Sequence, residues 1–304
     1  MAALADICAP VMPAPFDLQD TDAFLRWRDW KLAQAPRSVQ DLIVEVRDPR
    51  VLSAAEHAAL RERIRRCNMV IYAGAVHEAD PGIPRELGRQ FGLNHLDANW
   101  LAGEDGISEI KVSEGATRQL YIPYTDRAIK WHTDGYYNPP ERLIRAMVLH
   151  CVRPAAHGGE NRLLDHEMAW LLLHEADPAH IRALMRPDAM LIPERTDEQG
   201  VARAAQSGAV FSLDSAGNLH MRYTARTRSI AWSPAPEVQA AVAALERILA
   251  DEASLHVVSA RLAPGMGLLC NNVLHDRSAF SDDPAHPRLL YRARYLDRIL
   301  DSAA

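Results

Sequence analysis

The tripeptide His132-Thr133-Asp134, taken with His275 far downstream, constrains this chain more than any other feature. Two imidazoles and one carboxylate can occupy one face of an octahedral Fe(II) and leave positions open for other ligands. On an extended strand, residues i and i+2 point to the same side, so one metal can touch both His132 and Asp134. The third donor comes from a distant stretch, so the fold has to bring separate strands face to face. An H-x-D alone is weak evidence in a chain with 13 histidines and 40 acidic residues, but its surroundings strengthen it. Trp131 precedes the pair, and Gly135-Tyr-Tyr-Asn-Pro-Pro140 breaks the strand after it. Residues 143–152 form an apolar, strand-like run, closed by Pro154 and the turn His157-Gly158-Gly159-Glu160-Asn161. Before His275, Ala263-Pro-Gly is a turn and Leu268-Leu269-Cys270 a short apolar strand, which then turns polar at Asn271-Asn272.

Taken in order, Trp131-His-Thr-Asp-Gly135, Gly158-Gly-Glu-Asn161, the run from Leu268 to Phe280 and Pro287-Arg-Leu-Leu-Tyr-Arg292 resemble one family. It is the taurine dioxygenase-like (TauD/TfdA-type) family of Fe(II)/2-oxoglutarate-dependent oxygenases. Residues 42–46, 52–64 and 69–74 resemble its opening strand, helix and strand, and residues 85–92 its next helix. The resemblance therefore runs over residues 40–300, and an ordered set of motifs is more specific than any one of them.

The resemblance implies an α+β fold: a double-stranded β-helix (jelly-roll) core with flanking helices. It implies that His132, Asp134 and His275 bind Fe(II), with 2-oxoglutarate and O₂ as co-substrates. Arg288 would take the far carboxylate of 2-oxoglutarate, a task that suits a planar guanidinium. Asn161 stands where the family often has Thr, whose hydroxyl serves the co-substrate; an amide can donate the same bond. Arg292 falls where the taurine enzyme binds its anionic substrate. The residue after the distal His is often Gly; here it is Asp276, expected to pair locally with Arg277. The reaction implied releases succinate and CO₂ and oxidises, most often hydroxylates, a substrate C–H bond. The alternative is a cupin-like metal dioxygenase or isomerase that works without 2-oxoglutarate; Arg288 and the order of the motifs argue against it. A non-catalytic binding module on the same fold is disfavoured by the intact metal trio.

Tyr136 and Tyr137, directly after the metal pair, are placed to line a substrate pocket, with Tyr121 and Tyr124 next. Arg222 and Arg226, with Arg228, Tyr223 and Trp232, could form an anion-reading wall. With Arg292 they point to a small polar substrate carrying a carboxylate, sulfonate or phosphonate, an amino acid derivative first. Arg294 and Arg298 are read as solvent-facing.

Residues 1–39 are read as an N-terminal extension, irregular over 1–15 and then an amphipathic helix over 17–34. Residues 40–304 are read as a single oxygenase domain. With 304 residues, 48% of them hydrophobic, one large core can be buried. Helices are expected at 54–66, 165–173, 178–185 and 236–252, and strand-like pieces at 112–124 and 256–262. Residues 186–233 read as irregular, a lid or substrate loop. Trp27 and Trp30 form a docking stripe that could cover the protein's own core or a second subunit, leaving a homo-oligomer open.

The net charge of −6 gives no sign of a nucleic-acid or anionic membrane partner. The four cysteines make no C-x-x-C, which disfavours a disulfide framework and suits a reducing cytoplasm. The N-terminus has no basic n-region, and no apolar run reaches membrane-spanning length.

Overall fold

Two-residue alternation builds two facing sheets. The computed structural model describes residues 15–97, 103, 106–113, 121–197 and 200–299. The major sheet has the strand order Ile43–Val46, Met69–Gly74, Met266–Cys270, Ala146–Arg153, Leu289–Tyr295, Ser108–Ile110. Only its first pair is parallel. The minor sheet has the order Val258–Ala260, Asn161–Leu164, Leu274–Arg277, Ile129–His132, and all its pairs are antiparallel. Along the major strands, Met69, Ile71, Met147, Cys151, Leu268, Cys270 and Leu290 face Leu163, Val258 and Ala260 of the minor sheet, closing a jelly-roll core. Their neighbours Val70, Tyr72, Val148, Leu269 and Ala293 turn the other way, onto Leu60 and Ile64 of helix Ala54–Cys67 and Leu87 of helix Ile83–Gln90. Both faces of the major sheet are thus covered.

Helix Ala54–Cys67 starts on a capping box from Ser53 and Glu56 and stops at Asn68, which takes the left-handed conformation at φ 57°. A second apolar cluster gathers helices Thr21–Gln34, His166–Ala176, Pro178–Leu184 and Pro236–Ala250. Trp27 packs edge-on against Trp170 at 5.8 Å, so the tryptophan stripe covers the protein's own core. Lys31 of the same helix is buried and pairs with Asp165 at 2.5 Å and Glu167 at 2.6 Å. The first helix is therefore packed into the body of the molecule.

The stretch 186–233 is more regular than its sequence suggested. Among its described residues, Met190–Ile192 pairs with Gln206–Gly208 and Ala231–Trp232, Arg195–Asp197 with Gly200–Arg203, and Phe211–Leu213 with Leu219–Met221. Strands of two to four residues are too short to show periodicity, which is why the pattern was illegible. Strand Val258–Ala260 is the central part of the expected 256–262 strand. Of the strand-like pieces expected at 112–124, residues 114–120 lie outside the described residues, and Ile122–Tyr124 forms a 3₁₀ turn. The irregular segment expected at 1–15 also falls outside them, apart from Pro15. Cys67, Cys151 and Cys270 are buried and free. No helix among the described residues is long and apolar enough to cross a membrane.

Candidate metal centre

The fold puts His132 and His275 directly opposite each other, as an antiparallel cross-strand pair at the mouth of the minor sheet. Their ring centroids are 4.2 Å apart. Asp134 lies just past the strand end, in the turn that Gly135 opens at φ 65°. One ligand atom from each of the three residues falls within 4.8 Å of the others.

The surroundings of the trio suit it to a cation. Nδ1 of His132 lies 2.9 Å from the Lys130 carbonyl oxygen, and Nδ1 of His275 lies 3.0 Å from that of Val273. A carbonyl only accepts, so both Nδ1 atoms carry a proton and the Nε2 atoms are the ones left to face a metal. Burial, and next the neighbouring His132, push His275 down to about 4, so it is neutral and ready to coordinate at physiological pH. Burial opposes ionisation of Asp134, but the Arg292 guanidinium 3.1 Å away, helped by His132, Arg294 and His275, holds the carboxyl well below its ordinary range. The donor set is two imidazoles and one carboxylate, which is the set a non-haem Fe(II) takes.

Asn272 holds the turn in place. Its Oδ1 accepts from the Asp134 N–H at 2.8 Å, and its Nδ2 donates to the carbonyls of Asp134 at 3.0 Å and Ile144 at 2.6 Å. Its backbone is left-handed at φ 51°, a conformation Asn tolerates better than most residues. The sequence carried the signal, a polar pair interrupting a buried strand, without saying what it was for. Arg162 braces the other side: it pairs with Asp276 at 2.6 Å and stacks over Trp131 at 5.0 Å, tying together the residues that flank His275 and His132. Asp276 thus pairs with Arg162, not with Arg277 as expected. Arg277 donates to the carbonyls of Thr125 and Arg127 instead.

Arg288 lies at the start of strand Leu289–Tyr295, beside a small cavity shared with Gly158, Gly159 and Asn161. It stacks over Phe280 at 5.0 Å, and among the described residues it forms neither a hydrogen bond nor a salt bridge. Its buried Nη1 has no partner. Burial lowers its pKa to about 10, which still leaves a cation at neutral pH. Gly159 takes φ 75°, a left-handed conformation that favours glycine, and lies in ordinary contact range of Arg288. Asn161 donates one amide hydrogen to the Asp276 carbonyl at 2.8 Å.

The remaining candidates are scattered more widely. Arg292 reaches Asp134 at 3.1 Å. Tyr136 and Tyr137 are half-buried and pack edge to face at 5.2 Å. Arg222 is buried and donates once from each guanidinium nitrogen to a backbone carbonyl, Nε to Tyr136, Nη1 to Ser207 and Nη2 to Gln206. Tyr223 turns into the helical cluster and Arg228 is exposed, so residues 222–228 do not form one wall. Arg294 is buried, not solvent-facing: it pairs with Asp97 at 2.5 Å and donates to the Tyr137 hydroxyl at 3.0 Å. Arg298 is likewise largely enclosed, donating to Asn68 and to the Leu219 carbonyl. The reason is the strand's place in the sheet. It lies between two neighbours and is covered on both faces, so alternation sends Arg292 and Arg294 inward.

Known proteins resemble this chain in sequence and fold. The family model described as "Taurine catabolism dioxygenase TauD, TfdA family" matches residues 32–294. A uridine-5'-phosphate dioxygenase from an Amycolatopsis species is 28% identical over 283 residues, covering 85% of this chain and 98% of that protein. A protein of the same name from a Streptomyces species is 32% identical over 177 residues, covering 56% of this chain and 62% of that protein. Among solved structures, the non-haem iron oxygenase OrfP in complex with Fe and α-ketoglutaric acid superposes with a TM-score of 0.60 at 16% identity, covering 88% of this chain and 89% of that one. A match over most of the length, on a jelly roll that brings a His–Asp–His trio together, places the chain in the TauD/TfdA family as a non-haem Fe(II)/2-oxoglutarate-dependent dioxygenase.

Proposed function

We propose that His132, Asp134 and His275 hold the iron, that Arg288 anchors 2-oxoglutarate, and that the enzyme oxidises a C–H bond of a small phosphorylated substrate. Uridine 5'-phosphate is the first compound to test, because two relatives carry its name. This moves the weight from an amino acid derivative to a phosphate ester within the anionic class expected from the arginines. With iron, 2-oxoglutarate and O₂ bound, the centre supplies the oxidising power, and 2-oxoglutarate leaves as succinate and CO₂.

The observation that carries the co-substrate assignment is the orphaned Arg288 guanidinium. A buried cation without a partner is costly, and a dicarboxylate's far end would satisfy it through two parallel bonds. Asn161 retains one amide hydrogen for the same ligand. Arg292 holds Asp134 ionised and aimed, and the phenols of Tyr136 and Tyr137 wall the space beyond the turn. The buried free thiols suit a reducing compartment such as the cytoplasm.

The test is anaerobic addition of Fe(II) and 2-oxoglutarate to metal-free protein, followed by visible absorption. A weak charge-transfer band is expected, absent in H275A and D134A. Iron binding without the band would remove 2-oxoglutarate from the reading and favour the cupin-like alternative.

A further inference from the structure

Beyond the metal residues lies a cluster of cations that no carboxylate among the described residues neutralises. Arg203 is at its centre. Its guanidinium carbon sits 5.3 Å from the centre of the Tyr137 ring, and its Nη2 donates to the Pro193 carbonyl at 2.8 Å. Its Nε is buried and bonded to nothing. Arg195, on the paired strand of the same hairpin, lies over Tyr121 at 4.6 Å and donates to its hydroxyl. Arg222 donates to three carbonyls, one of them that of Tyr136, next in the chain to the tyrosine whose ring carries Arg203. Arg203 is the common neighbour of the other two charges. After burial, Arg195 is among the causes that lower Arg203, and Arg203 helps push Arg222 down to about 10.

A shortage of acid does not explain the cluster, because the chain has 40 acidic residues against 34 basic ones. Several other guanidiniums find carboxylates: Arg294 and Arg142 take Asp97, Arg162 takes Asp276, and Arg186 takes Asp188 and Glu237. Arg195, Arg203 and Arg222 form no salt bridge among the described residues. Like charges gathered in a half-buried place raise the energy of the fold unless an anion joins them.

Tyr137 links the cluster to the metal centre. It follows Asp134 by three positions, its hydroxyl accepts from Arg294 at 3.0 Å, and its ring carries Arg203. An anion received by Arg203 therefore lies beside the turn that carries Asp134.

We propose that Arg203 receives the phosphate group of the substrate, with Arg195 and Arg222 supplying further positive charge and Tyr137 fixing the guanidinium plane. Arg222 acts mainly through charge and by holding strand Gln206–Gly208, since each of its guanidinium nitrogens already serves a carbonyl. The inference rests on the reading of this chain as an oxygenase of a phosphorylated small molecule, and it names the residue that reads the phosphate.

The experiment is isothermal titration of anaerobic protein loaded with Mn(II) and 2-oxoglutarate. The probes are uridine 5'-phosphate, uridine and a panel of nucleoside and sugar phosphates, against wild type, R203A and R203K. Losing a charge-assisted bond should weaken phosphate-bearing ligands about tenfold or more. Uridine and 2-oxoglutarate should bind R203A as they bind wild type, and R203K should recover part of the loss. Unchanged 2-oxoglutarate affinity also shows that R203A is folded. If R203A binds uridine 5'-phosphate as wild type does, or loses uridine equally, the inference is overturned. If uridine 5'-phosphate fails on wild type while another organic phosphate binds in an Arg203-dependent way, the inference stands and the uridine nucleotide assignment falls. If no phosphate ester binds better than its dephosphorylated partner, Arg203 is not a phosphate reader.

Discussion

Replacing Asn272 by Gly should loosen the metal centre without touching a metal ligand. Asn272 and Asp134 are 138 residues apart in sequence and joined by two hydrogen bonds, with a third from Asn272 to Ile144. All three are buried. Glycine keeps the left-handed backbone that φ 51° demands, so the variant removes the side-chain bonds and little else. At about 1 kcal/mol net per bond, the loss is about 3 kcal/mol of stability. The larger effect falls on the metal, because the Asp134 carboxylate is aimed by the backbone that Asn272 holds. Loss of such a support lowers metal affinity by about 10–100-fold. The assay is titration of metal-free protein with Co(II), whose ligand-field absorption reports geometry as well as affinity. N272G should bind more weakly and with an altered band. N272D should be worse, since it cannot donate to the carbonyls and adds a negative charge beside Asp134. If N272G loses stability while its Co(II) affinity and spectrum match wild type, the clamp is structural only and the reasoning fails.

R288A should raise the apparent Kd for 2-oxoglutarate by about a hundredfold, as expected when a carboxylate loses its charged bidentate partner, and leave Co(II) affinity unchanged; equal 2-oxoglutarate affinity would point to another arginine. K31M should cost about 3–5 kcal/mol and lower Tm by about 10 °C, because Asp165 would stay buried without its cation and Glu167 would keep only Arg298, 3.8 Å away; an unchanged melting curve would show that water reaches both carboxylates. Burial holds His150 at about 4 and His220 at about 3, both below the ordinary 6.5. The unfolded chain therefore takes up protons first as pH falls. Stability is full above pH 6.5 and declines from there towards pH 3–4, by up to about 1.4 kcal/mol per pH unit for each such histidine. Urea denaturation of H220Q across that range should show a shallower decline; an equal slope would remove His220 from the account.

The metal trio was legible because its chemistry is local: two donors at i and i+2, on strands whose apolar runs and turns mark them. The cross-strand meeting with His275 came from an ordered set of motifs, not from periodicity. Arg294 was misread because its partner, Asp97, lies 197 residues away and nothing near either residue announces the pair. Arg222 shows the same limit: three carbonyls from two separate segments hold it, and carbonyls leave no trace in a sequence. Lys31, in a helix that read as an appendage, is buried only because Asp165 and Glu167 arrive from another helix terminus. Asn272 was visible as an anomaly, a polar residue where the strand should have stayed apolar, but its function needed the turn it holds.

The direct pairing of His132 with His275 also sets the order of assembly. A contact so distant in sequence closes late, after the local helices and hairpins have formed. On the ribosome, His132 and Asp134 emerge long before strand Leu274–Arg277, and until that strand docks they offer only two donors. The nascent chain would thus be a poor trap for stray metal ions, and the three-donor site would be complete only once the jelly roll has closed.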